Sequence, residues 1–121
     1  MAKNLIQDGT RMTYENASGS TIAGGSLVVV GNHFGVAAAD IPDGGVGALL
    51  MEGVFELPKV AAADIGQGQS VIWDVSNGAF DDNLATPAAG DVSGAATAWA
   101  AAGVNATVVA VKINTGVGSV T

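Results

Sequence analysis

The chain has 121 residues, 49% hydrophobic but only 5% aromatic, with no cysteine and a formal net charge of −7. That length predicts a single β domain over 1–121, whose Val, Ile, Leu and Ala core has little surplus, so subunit contacts are expected to help. Four cations against eleven carboxylates exclude a phosphate-tracking surface, and the lack of cysteine excludes disulfides, thiolate nucleophiles and Cys-ligated zinc.

The opening Met-Ala-Lys-Asn-Leu-Ile-Gln has no apolar signal-peptide core, and no apolar window approaches the length of a membrane span. Residues 4–7 read as a short extended segment before the turn dipeptide Asp8-Gly9. Residues 11–15 then alternate, with Met12 and Tyr14 on one face and Arg11, Thr13 and Glu15 on the other. The pair is expected to form an opening hairpin, followed by a polar loop over 16–20.

A phrase then recurs: Ile22-Ala-Gly-Gly25, Ile41-Pro-Asp-Gly44 and Ile65-Gly-Gln-Gly68 each precede a strand-like run. The pattern predicts an apolar anchor, a tight turn with positive φ at the glycine, and re-entry into a sheet. Its irregular spacing marks a recurring local solution rather than a true repeat. Gly31-Asn32 and Asn77-Gly78 are further turn signals, and 83–91, with Pro87 and Gly90, reads as a surface loop.

The longest apolar run, Val46 to Val60, is divided by Gly53 into two strand-like halves. After Gly53, Val54, Glu56 and Pro58 face one way and Phe55, Leu57 and Lys59 the other, and Pro58 predicts a strand end or an edge. The alanine-rich stretch 92–102 lacks a capping box and is broken by Gly94 and Thr97, so a strand is expected there. A turn at 102–105 leads to a last strand over 106–114, and 115–121 reads as a flexible tail. The fold class expected is all-β, a compact β-barrel or β-sandwich of about eight short strands with little or no helix.

The catalytic inventory is poor. His33 is the single histidine, beside Phe34 in a strand-like run, and no Gly-x-Ser-x-Gly elbow accompanies it. Asp81-Asp82-Asn83 lacks calcium-loop spacing, and the glycine pairs precede strands rather than helices, unlike phosphate loops. Glu52 and Glu56 flank Val54 on one expected strand face, a pairing commoner on solvated or interface surfaces than in acid–base sites. Trp73 and Trp99 read as core or subunit-interface anchors rather than a base-stacking platform.

Four stretches together resemble a bacteriophage family: residues 1–9, Ile22 to Gly31, Ile41 to Lys59 with its Gly-Val-Phe-Glu-Leu-Pro-Lys element, and Thr107 to Asn114. The chain is similar to the DUF2190 family of phage and prophage proteins, regarded as capsid cement or decoration proteins. The resemblance implies a non-enzymatic virion protein made in the host bacterial cytoplasm. It would bind the outer capsid surface as a trimer and bridge copies of the phage major capsid protein, without cofactor, metal, nucleic acid or membrane. Members have also carried a RecA-like recombinase label, which this chain does not support, having neither a Walker lysine nor a basic surface. A carbohydrate-binding virion module is the other alternative. Expected capsid or subunit contacts are Lys3, Leu5, Ile6, Glu52, Glu56 and Trp99. Residues 1–7 form a possible N-terminal arm; Leu5 and Ile6 would face opposite ways in an extended strand, and an ordinary edge strand is the equal alternative.

Overall fold

In the computed structural model, which describes residues 3–121, every helix or strand element is a strand. In chain order they are β1 (Arg11–Glu15), β2 (Leu27–Val30), β3 (His33–Ala37), β4 (Val46–Leu50) and β5 (Val54–Pro58). They continue as β6 (Ser70–Asp74), β7 (Ala79–Asp81), β8 (Val92–Ala98), β9 (Val108–Ile113) and β10 (Ser119–Val120). The all-β expectation holds, with ten strands rather than about eight because β7 and β10 are short additions. One antiparallel sheet runs β1-β4-β3-β2 and the other β5-β9-β8-β6-β7, with β10 on β8. A single parallel bridge, Lys59 to Phe80, joins the two ends of the larger sheet without closing it into a barrel.

Gly53 divides the Val46–Val60 run as its position suggests. It takes a φ of +130°, and the strands on either side enter different sheets. β5 ends at Pro58 and is an edge strand, as a proline without an N–H requires. Its alternation is as expected, with Leu57 and Lys59 buried and Val54, Glu56 and Pro58 exposed.

The chain groups into two compact units, one comprising residues 3–28 and 35–52 and the other residues 29–34 and 53–121. In the first, Val36, Ile41 and Leu49 are buried. In the second, Phe34, Trp73 and Phe80 form an edge-on cluster, with Trp73 and Phe80 centroids 4.9 Å apart, among buried Leu57, Val71, Val109 and Val111.

The expectation that the turn phrase is only a recurring local solution is corrected: it belongs to an internal repeat. β1-β4-β3-β2 has the same order and directions as β5-β9-β8-β6. In the first unit, Ile22 and Ile41 exchange two backbone hydrogen bonds, and in the second Ile65 and Ala102 do the same. Gly25 N–H donates to Ala37 and Ala37 N–H to Ser26; Gly68 N–H donates to Ala98 and Ala98 N–H to Gln69. Val36 opposes Leu50 and Ala37 opposes Leu49, as Thr97 opposes Lys112 and Ala98 opposes Val111. Gly25, Gly44, Gly68 and Asn105 all take φ near +80°, at 85°, 77°, 82° and 76°. Each follows the bridge residue by three positions, as in type II turns. The fourth copy has Ala102 for the isoleucine and Asn105 for the glycine, so it is less visible in sequence.

A further expectation, the opening hairpin, is corrected. Residues 4–7 form no strand, and β1 pairs instead with β4, because adjacent Leu5 and Ile6 give no one-sided apolar face to bury. Within 115–121, Ser119 and Val120 pair with Ser93 and Val92, and Asn32 Nδ2 donates to the Gly118 carbonyl at 2.6 Å.

Candidate functional site

The acid–base and metal candidates separate in the structure. Glu52 sits in a bend and Glu56 within β5, so the two do not share a strand face; the left-handed turn of the chain at Gly53 breaks the alternation between them. His33 is exposed at the start of β3. The carboxylates of Asp81 and Asp82 accept backbone N–H groups of Asp82 and Leu84, as loop-capping groups do. Among the described residues no group of three or more His, Asp or Glu could hold a metal ion. No helix among them is long and apolar enough to cross a membrane. Asp74, at the β6–β7 turn, accepts from the Ser76 hydroxyl at 2.7 Å, the Asn77 amide at 2.7 Å and both backbone N–H groups. Those bonds, the Ser76 hydroxyl foremost, hold its carboxyl below the ordinary aspartate value. This is turn chemistry, not catalysis.

Two strand pairs present exposed aliphatic residues among charged and polar ones. Directly opposed residues of an antiparallel pair project from one face. On β1 and β4, Arg11 lies beside Leu50, Thr13 beside Ala48 and Glu15 beside Val46. On β5 and β9, Val54 lies beside Lys112, Glu56 beside Ala110 and Pro58 beside Val108. Val46 is 65% exposed, and Val54 and Val108 are nearly half exposed, at 44% and 45%. Trp99 follows β8, stays 52% exposed, and lies 5.2 Å from the Lys112 ammonium, within cation–π range. Trp73, by contrast, is buried in the aromatic cluster.

Of the expected contact residues, Lys3, Leu5, Ile6, Glu52, Glu56 and Trp99 are all exposed, and Leu5 and Ile6 precede the first strand. The first two residues of the expected arm, Met1 and Ala2, lie outside the described residues. Sequence reading did not find Val46, Ala48, Val108 and Ala110 as surface residues. The alternation in 11–15 was legible and gives the first face once β1 and β4 are known to pair; the run 46–50 alternates poorly, so its own exposed side was hidden.

A phage cement protein family model matches residues 6–113. The chain belongs to that phage cement protein family. The family is structural, associates with phage capsid proteins and acts in the virion capsid. No curated protein and no solved structure matches this chain.

Proposed function

We propose that this cement protein binds the outer surface of the assembled phage capsid as a homotrimer and stabilises it by bridging neighbouring major capsid protein subunits. The observation that carries this reading is the pairing of family membership with exposed Val46, Val54, Val108 and Trp99 on strands or at strand ends. Water-exposed aliphatic and aromatic area of this kind is favourable to bury against another protein, at about 25 cal/mol per Å². Lys3, Leu5, Ile6, Glu52 and Glu56 add contacts at the N-terminal segment, the Gly53 bend and β5. A trimer on a symmetric site multiplies modest contacts into firm attachment.

The test is co-sedimentation of the purified protein with shells assembled from the major capsid protein alone, followed by heat challenge of the decorated shells. Saturable pelleting and a raised disruption temperature are expected. Protein that stays in the supernatant at micromolar concentration refutes the proposal.

A further inference from the structure

Seven asparagines occur in the chain, and Asn77 is the one followed by glycine; the others precede Leu5, Ala17, His33, Leu84, Ala106 and Thr115. An asparagine amide is attacked by the backbone nitrogen of the next residue, and a Cβ on that residue crowds the approach. Gly78 has none. Asn77 and Gly78 are both exposed in the turn between β6 and β7, and among the described residues nothing accepts the Gly78 N–H. Asn16, Asn32 and Asn114, by contrast, commit their amides to the backbone carbonyls of Ile41, Gly118 and Phe34.

One group stands against the attack. The Asn77 amide donates to Asp74 Oδ2 at 2.7 Å, and the Asn77 backbone N–H donates to Asp74 Oδ1 at 3.3 Å. The Ser76 hydroxyl and backbone N–H fix the same carboxylate, at 2.7 and 3.1 Å. A charge-assisted bond to the amide nitrogen holds the side chain in the turn and makes its Cγ less electrophilic. The negative charge of Asp74 also opposes the anion that must form on the Gly78 nitrogen and the oxyanion that follows.

We propose that Asn77 is a deamidation site guarded by Asp74, converted to aspartate or isoaspartate when the β6–β7 turn opens. Hydroxide takes the Gly78 amide proton, and the Gly78 nitrogen forms a bond to Asn77 Cγ. The Cγ–Nδ2 bond then breaks, and ammonia leaves with a proton from water. Water opens the cyclic imide at either carbonyl, so the net change takes up water and releases ammonia. The product sets a carboxylate against Asp74 where an amide stood, so the guarding bond cannot re-form. In a virion capsid, whose proteins are not replaced after assembly, the change accumulates with particle age. The inference is independent of how the protein binds a shell.

The experiment holds the full-length protein in mildly alkaline buffer, either folded or in urea, and follows the amide-to-carboxylate mass change by peptide mapping over time. In urea, Asn77 is expected to be modified ahead of the other asparagines, at closely similar rates in the wild type and in Asp74→Ala. In buffer alone, the folded wild type is expected to react at Asn77 about tenfold or more slowly than in urea, and Asp74→Ala about fivefold or more faster than the folded wild type. Should Asp74→Ala melt below the incubation temperature, Ser76→Ala keeps the carboxylate but loosens it, and is expected to give a smaller acceleration; an unchanged rate there overturns the inference. So does a folded wild type modified as fast as the chain in urea, a folded Asp74→Ala no faster than the wild type, or modification led by another asparagine. None of these results bears on shell binding, so the cement reading stands or falls separately.

Discussion

Asn16 and Lys59 occupy the same position in the two copies of the repeat, though they share neither charge nor shape. Each follows the copy's first strand, each is buried, and the backbone N–H of each donates across the sheet, Asn16 to Gly45 and Lys59 to Thr107. Asn16 Nδ2 donates to the carbonyls of Ser20 and Ile41, both at 2.8 Å, while its Oδ1 accepts from the Ser18 backbone and hydroxyl. Lys59 Nζ donates to the carbonyls of Val60 at 2.8 Å and Ala106 at 3.1 Å. In both copies one buried side chain satisfies the carbonyls of a loop that turns back under its sheet, where an unpaired polar group would be costly.

Removing either donor leaves those carbonyls without it. Asn16→Ala is expected to destabilise the protein by about 2–3 kcal/mol, and Lys59→Met, which keeps the aliphatic stem, by about 2 kcal/mol. Urea unfolding followed by fluorescence measures both. A shift in midpoint corresponding to less than about 0.5 kcal/mol at either site means that water replaces the bond.

Asn105 is the one turn residue of the four that carries a side chain in the left-handed region. Asn105→Gly is therefore expected to be neutral within about 0.5 kcal/mol, whereas Asn105→Ala costs about 1 kcal/mol, since alanine lacks asparagine's tolerance of that conformation. Thermal unfolding of the two variants beside the wild type decides it.

Two glycines of ordinary φ separate crowding from backbone freedom. A Cβ at Gly118 would come 2.6 Å from Val92 Cγ1 and 2.8 Å from the Asn32 carbonyl oxygen, both buried or hydrogen-bonded in place. A Cβ at Gly103 would meet nothing closer than 3.9 Å. Gly118→Ala is expected to cost about 1–3 kcal/mol and to loosen β10, while Gly103→Ala is neutral or stabilises by up to about 1 kcal/mol. Hydrogen exchange of the Gly118 and Thr121 amides, both donors in the wild type, reads the loosening directly.

Strand positions were largely legible because β1 and β5 alternate and because Gly25, Gly44 and Gly68 announce their turns. The repeat was not. Its first half keeps a constant spacing, Arg11 to Val54 and Ile22 to Ile65, but β7 and the 83–91 loop are inserted before β8. That insertion moves Ile41 out of step with Ala102, and Thr107 adds one more residue before β9. The roles of Asn16 and Lys59 were invisible for another reason: the carbonyls that each side chain binds come together only in the folded chain. The two surface faces depended likewise on knowing that β1 pairs with β4 and β5 with β9.

Asp74 carries the pH dependence that the structure specifies. Its depressed carboxyl, held first by the Ser76 hydroxyl and then by the Asn77 amide, stabilises the fold fully above the ordinary aspartate range. That contribution fades as pH falls through that range to the lower folded value, because the unfolded chain takes up the proton first. Carboxyl NMR titration is expected to show an Asp74 midpoint below those of ordinary aspartates. Ser76→Ala should move it upward and flatten the acid limb of stability against pH; an unmoved midpoint would contradict the assignment to Ser76.

The two tryptophans divide between core and surface, which gives a direct optical test of whether Trp99 contacts a shell. Trp73 is 8% exposed and packed edge-on against Phe80, whereas Trp99 is 52% exposed beside Lys112. Trp99→Phe should leave a blue-shifted emission from Trp73 that acrylamide hardly quenches, with stability changed by less than about 1 kcal/mol. Trp73→Phe removes a buried ring and should cost about 1–3 kcal/mol, leaving a red-shifted, readily quenched Trp99. Lys112, whose ammonium lies over the Trp99 ring, lies beside Val54 on the β5–β9 pair, so under the proposed function a capsid subunit bound over that pair would shield the indole. Added shells should therefore lower acrylamide quenching of the Trp73→Phe protein severalfold, and Val108→Lys should abolish the protection. Unchanged quenching at saturating shell concentration would place Trp99 outside the contact and remove it from the docking surface.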